Sequence, residues 1–347
     1  MKKILAMLLA VMMLLSVASV AMAENEYYTP ETTVKIKKNY ELSGEGTSPA
    51  ETFYLKMKSK SVSQSEATDA PALPADTNGY VATVEYAKGA AGSATKTGEF
   101  AFKLPTYTKV GVYTYILEEV DNGIAGVTYN TNGNTLTLVV TVVNDATADG
   151  KLAVTATVHT ESPLGTKAED KKDSFDNTYT ANKLTVTKNV TGKLGDLTKD
   201  FYFQATFTSE KEVTSEVKYG DQTLTFTKGN DGKYTATATF TLNGSTANQM
   251  VFANLPKGVT YTVVELSGVN GTEVAQGGTI EDKYTVSYDN AKSGTMEGTA
   301  LSTTITNNYD GTIDMGVMLD SMPYVLVLAV VGAAVIALIA KKRRAED

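Results

Sequence analysis

Three residue types recur in the same order in two halves of this chain: a Lys, then a Glu, then an Asn. Lys38 stands in Val34-Lys35-Ile36-Lys37-Lys38-Asn39-Tyr40, and Lys188 stands in Leu184-Thr185-Val186-Thr187-Lys188-Asn189-Val190. Glu119 closes the run Tyr113, Tyr115, Leu117, Glu119, and Glu265 closes Val259, Tyr261, Val263, Glu265. Asn177 is framed in Phe175-Asp176-Asn177-Thr178-Tyr179 and, about 130 residues later, Asn307 in Ile305-Thr306-Asn307-Asn308-Tyr309. Buried together, these side chains can form an amide without help. A Lys in water has a pKa near ~10.4 and is a poor nucleophile because it is charged. A dry core disfavours the ammonium and the carboxylate alike, so Lys and Glu can exchange a proton and both become neutral. The free amine then attacks the Asn Cγ. The protonated Glu hydrogen-bonds the Asn carbonyl oxygen and relays protons to the departing ammonia. Holding the groups together contributes roughly 7–11 kcal/mol in well-oriented intramolecular reactions. The reaction needs no metal and no cofactor. A buried Lys–Glu ion pair with a hydrogen-bonded Asn and no new bond fits the same residues.

The elements that must position these groups are strands. Counting by twos puts Ile36, Lys38 and Tyr40 on one face and Val186, Lys188 and Val190 on another, while Lys35 and Lys37 point away. Glu119 is in phase with Leu117, and Glu118 is not. Asn177 shares a face with Phe175 and Tyr179, as Asn307 does with Ile305 and Tyr309. A bulge in the first strand would exchange the faces of Lys37 and Lys38. Period-two alternation of Thr, Val, Tyr and Phe continues through Thr135–Val143, Leu152–Val158, Phe201–Thr208 and Tyr234–Leu242. Turn signals such as Asn132-Gly133, Asn230-Asp231-Gly232 and Asn270-Gly271 separate the runs. Short strands at this spacing predict an all-β chain of two tandem sandwiches. Ser61–Asp76 reads as a long surface loop and Thr178–Asn182 as the junction between domains.

The ends read as export and anchoring signals. Lys2, Lys3, the apolar run Ile4–Val17 and Ala21-Met22-Ala23 predict a signal peptide over residues 1–23. A second apolar run, Tyr324–Ala340, precedes Lys341-Lys342-Arg343-Arg344 and predicts a transmembrane helix over 324–340 with its cationic tail in the cytoplasm. The expected layout is an N-terminal domain over 24–180, a C-terminal domain over 181–311 and an anchoring segment over 312–347. The chain has no Cys and one His, so disulfides, thiol chemistry and a His-based metal site are excluded. The charge is -8, from 31 basic against 39 acidic residues, which argues against nucleic acid as a partner. There is no complete phosphate-binding loop and no nucleophile elbow. Neither a cofactor nor an enzymatic function is expected.

The F-x-N-x-Y motif at Phe175–Tyr179 and the Y-x-Y-x-L-x-E run at Tyr113–Glu119 resemble the backbone pilins of Gram-positive bacteria, of the streptococcal two-domain type with isopeptide linkage domains. The resemblance runs from Glu24 to the C-terminus. It implies immunoglobulin-like sandwiches whose first and last strands are joined by Lys38–Asn177, with Glu119 as the acid, and by Lys188–Asn307, with Glu265. It implies a secreted, cell-surface subunit made from a membrane-anchored precursor. A sortase joins such subunits covalently and attaches them to peptidoglycan. The sorting site falls in Thr312–Val317, with cleavage between Met315 and Gly316. Only Gly316 matches the usual motif, since Asp314 and Met315 stand where Pro and Thr are customary. The lysine that accepts the next subunit is placed at Lys172, Lys171 or Lys167. The competing reading is a monomeric wall- or membrane-anchored adhesin that binds a host ligand.

Overall fold

A computed structural model describes residues 33–129, 134–145, 152–159, 174–289, 291–311, 327–328, 330–331 and 333–336. The expected signal peptide, Met315, Gly316, Lys167, Lys171 and Lys172 lie outside these residues. So does much of the expected 324–340 helix. Among the described residues no helix is long and apolar enough to cross a membrane.

The described residues are almost wholly β, with twenty strands arranged in three sheets. The spine is one 18-residue strand, Ser174–Thr191. Its first half pairs in parallel with Thr33–Gly44, which in turn pairs antiparallel with Thr97–Lys103. Its second half pairs in parallel with Leu301–Asn308 and antiparallel with Gln249–Pro256. A five-stranded sheet containing Glu51–Ser63, Gly111–Glu119 and Thr135–Asn144 contributes the other wall of the first core. A second five-stranded sheet, containing Phe201–Ser209, Tyr234–Leu242 and Thr260–Leu266, does the same for the second. Phe53, Phe100, Tyr115, Leu138 and Phe175 belong to the first core, and Leu184, Phe203, Phe207, Phe252 and Val263 to the second.

The shared strand changes phase in its middle. Phe175, Asn177 and Tyr179 are buried at odd positions, whereas Leu184, Val186, Lys188 and Val190 are buried at even ones. Successive side chains of a strand point to opposite faces, so the two cores lie against opposite faces of one strand. Where they meet, Tyr179, Thr180, Ala181 and Asn182 are all buried. The stretch expected as a junction therefore contains no linker. Main-chain bonds tie it from both sides: Thr180 N–H to Gly126 O at 2.9 Å, Lys257 N–H to Thr180 O at 2.9 Å and Glu45 N–H to Ala181 O at 3.1 Å. Asn254, at a bulge with φ of 64°, accepts from Thr47 N–H at 2.9 Å and donates to Glu216 O at 3.1 Å. Gly46 is required beside it, because a Cβ there would lie 2.5 Å from the Ala181 Cβ. The expected loop Ser61–Asp76 is shorter than its composition implied. The preceding strand runs to Ser63, and Ala70 and Leu73 are drawn into the first core.

Candidate functional site

Lys38 and Asn177 lie on neighbouring parallel strands. Tyr40 stands opposite Asn177, so Lys38 is two residues earlier on the same face. The second half repeats this offset: Val190 stands opposite Asn307, and Lys188 is two residues earlier. Such diagonal neighbours on one face are roughly 7–8 Å apart at their backbones, which a long lysine side chain spans. The acids come from the facing sheets, Glu119 at the end of Gly111–Glu119 and Glu265 near the end of Thr260–Leu266. Each cluster thus draws two groups from one wall of its core and the third from the other.

The contacts are short and dry. The Lys38 Nζ lies 3.1 Å from Glu119 Oε1, and Asn177 Nδ2 lies 3.0 Å from that same oxygen. The Lys188 Nζ lies 3.3 and 3.1 Å from the two Glu265 oxygens, and Asn307 Nδ2 lies 2.7 Å from Glu265 Oε1. The lysine and glutamate side chains of both clusters are 0% exposed. Lys37, the neighbour a bulge would have turned inward, is exposed. Sequence reading did not identify the floors under the amines. The Phe53 ring centroid is 4.4 Å from Lys38 Nζ; those of Phe201 and Phe203 are 4.4 and 5.6 Å from Lys188 Nζ. The alternation Phe201-Tyr202-Phe203 signalled an inward aromatic face, but nothing in it pointed to a lysine.

Burial governs the charges. It holds both Glu119 and Glu265 above the usual carboxylate range, against the pull of the neighbouring lysines. It lowers the Lys188 ammonium to about 8, against the pull of Glu265. In the second cluster both shifts favour transfer of the proton from amine to carboxylate, which leaves a neutral pair. The Oδ1 atoms of Asn177 and Asn307 are buried and have no hydrogen-bond partner among the described residues. Oxygen and nitrogen of a side-chain amide exchange places on rotation about its last bond. Rotated, each amide offers its oxygen to the carboxyl group, which donates once it is protonated. That is the arrangement in which the acid activates the carbonyl for attack by the amine.

A variant that cannot react exposes these shifts. Asn307→Ala keeps Lys188 and Glu265 but removes the electrophilic carbon. Between about 8 and 10.5 the unfolded chain binds more protons at Lys188 than the folded chain, so stability rises with pH. Glu265 acts in the opposite sense, because its folded value is raised. Its contribution is complete below the unfolded value of 4.5 and is lost as pH climbs through the folded one. The expected profile of denaturation midpoints across this range has a minimum between the two windows. A maximum there would contradict both shifts.

The chain is similar to known proteins over most of its length. Residues 34–180 match the family described as Spy0128-like isopeptide containing domain, and residues 182–309 match one described as a domain of unknown function. A curated relative named Pilin, from Streptococcus pyogenes serotype M1, is 29% identical over 265 residues, covering 70% of this chain and 71% of the relative. The solved major pilin of Streptococcus pyogenes is 23% identical, with 82% of this chain and 100% of that chain covered and a TM-score of 0.48. The major pilin protein T3.2 of the same species is 19% identical, with 81% and 99% covered and a TM-score of 0.44.

Proposed function

The chain belongs to the Gram-positive pilins, and from that premise we propose that it is the structural subunit of a covalently polymerised surface pilus, locked internally by two self-made amides. The observation that carries this reading is the duplicated cluster, in which Lys, Glu and Asn meet in a dry core with the same strand offset in both halves. Lys38 bonds to Asn177 with Glu119 as the acid, and Lys188 bonds to Asn307 with Glu265. In each reaction the amine nitrogen forms a bond to the amide carbon, the original C–N bond breaks and ammonia leaves. The carboxyl group takes the amine's proton and delivers it to the leaving nitrogen. Asn177 and Lys188 share one strand, so the two bonds close separate loops on a common backbone.

Around this core the rest of the subunit is arranged for export and joining. Residues 1–23 are a signal peptide. Residues 24–180 and 181–311 are two immunoglobulin-like domains that share the Ser174–Thr191 strand, and residues 312–347 hold the sorting site and membrane segment. A sortase cleaves between Met315 and Gly316 and joins the new carboxyl group to Lys172, Lys171 or Lys167 of the next subunit. The base of the polymer is attached to peptidoglycan.

Intact mass tests the internal bonds. The purified ectodomain is expected to weigh about 34 Da less than the sum of its own residues, because each amide releases one ammonia of about 17 Da. Lys38→Ala and Lys188→Ala should each abolish one increment. A wild-type mass with no loss leaves only a buried ion pair. The polymer is tested on wall extracts: a ladder of multimers that Lys172→Ala, or the triple variant with Lys171 and Lys167, collapses to monomer supports the pilus. A monomer that binds host matrix supports an adhesin instead.

A further inference from the structure

Two tyrosine hydroxyls cross the cores beside the clusters. Tyr86, on strand Tyr80–Tyr86 of the sheet that carries Glu119, donates to the Lys38 carbonyl oxygen at 2.6 Å. It can do so because the residue opposite Lys38 on the neighbouring strand is Gly98. A Cβ at Gly98 would lie 3.0 Å from the Tyr86 hydroxyl and 2.6 Å from Val84 Cγ1. The Tyr86 ring packs 5.7 Å from Phe53, the floor under the Lys38 amine. Tyr288 crosses in the opposite direction. It sits on Tyr284–Tyr288, paired with the strand that carries Asn307, and its hydroxyl accepts the Glu265 N–H at 3.0 Å. The same hydroxyl donates to Val274 O at 2.6 Å, and Val274 N–H returns to Glu265 O at 2.9 Å. The Glu265 main chain is therefore enclosed in a ring of three hydrogen bonds.

We propose that Tyr86 and Tyr288 are positioning residues for amide formation, each tying the two walls of its core together at one reactive residue. Facing sheets stand about 10 Å apart and are joined only by packing, so their spacing is softer than the spacing within a sheet. The reaction needs its atoms within about 3–3.5 Å, and a small misplacement slows it severely. Tyr86 holds the root of the nucleophile against the wall that carries the acid. Tyr288 holds the root of the acid against the wall that carries the Asn. Burial pushes both hydroxyls up to about 12, so they keep their protons, and their capacity to donate, across the working range. The hydroxyl hydrogen bonds of both residues go to the main chain rather than to the reacting atoms. This inference rests on the amide-forming reading above.

The test follows bond formation in time. The full chain is made by cell-free synthesis and quenched in denaturant at intervals, and the Lys38–Asn177 and Lys188–Asn307 linked peptides are counted separately. Tyr86→Phe keeps the ring and removes the hydroxyl. It is expected to slow the first bond about tenfold and leave the second at the wild-type rate, the worth of one well-placed hydrogen bond. Tyr288→Phe should show the reverse. Tyr113→Phe, whose hydroxyl binds Lys109 O away from the cluster, should slow neither. Gly98→Ala, which displaces the Tyr86 hydroxyl, should reproduce Tyr86→Phe. A purely structural role would lower the melting temperature of the linked protein and leave both rates alone. Wild-type rates in both Phe variants overturn the proposal. Absence of linked peptides from the wild type would overturn the underlying reading instead.

Discussion

Glu119→Ala is expected to leave the Lys38–Asn177 amide unmade, so that the first half melts roughly 15 °C or more below the second. Two losses combine. The amide closes a loop of about 140 residues, and by analogy with disulfides that restricts the unfolded chain by about 5 kcal/mol. The variant also removes the carboxylate 3.1 Å from a fully buried amine. Breaking such a pair from one side costs about 3–5 kcal/mol, less whatever Lys38 recovers by giving up its proton. Against a total domain stability of about 5–15 kcal/mol these are large terms. Calorimetry should resolve two transitions in place of one, and the variant should weigh only one ammonia, about 17 Da, less than its own sequence, where the wild type lacks two. Glu119→Gln separates the roles. It preserves the shape and hydrogen-bonding reach of the acid but cannot carry a proton, so it too should leave the bond unmade. A Glu119→Ala protein that still loses two ammonia molecules would show that the carboxyl group is not the acid.

Under load, the two bonds are expected to behave differently. If subunits are joined through Lys172 and the carboxyl group made at Met315, pull enters just before Ser174 and leaves just after Asn308. It then runs along the shared strand to Lys188, across the amide to Asn307 and out. The first-half bond lies outside that route. A chain with Lys172→Cys and a cysteine after Gly311 provides handles in a protein otherwise free of cysteine. Stretched in this geometry, the wild type should show no unfolding step. Glu265→Ala should release the roughly 120 residues between Lys188 and Asn307, a gain of about 400 Å. Glu119→Ala should behave as wild type here, although it is the variant expected to lose most stability in the first half. An equal step in both glutamate variants would mean that load takes another route. Both bonds would thus add thermal stability, but only the second would carry load in this geometry.

The path of load depends on a feature invisible in the linear pattern. The alternation at Phe175–Tyr179 and at Leu184–Val190 was legible, and so was the inward direction of Asn177 and Lys188. The residues of Thr178–Asn182 read as a junction between domains. They are strand nonetheless, because both faces are covered there and main-chain donors from both halves satisfy them. Composition marks a linker by its polarity, and Asn182 is polar. Its amide is spent on Gly298 O at 2.6 Å, a partner more than a hundred residues away.

The direction in which Lys188, Glu119, Glu265, Asn177 and Asn307 point was decided by the sequence alone, because the pleat of a strand alternates locally and needs no partner to do so. Which of them meet was decided by the tertiary structure. The parallel register that sets Lys two residues before the position opposite Asn, the arrival of Glu from the facing wall, the aromatic floors and the two crossing tyrosines all depend on pairing between strands far apart in the chain. Even the choice of Lys38 over Lys37 required the strand to be seen without a bulge. A charged side chain becomes a nucleophile only when the surrounding protein has excluded water, and that exclusion is a property of the packed fold, not of any segment of it.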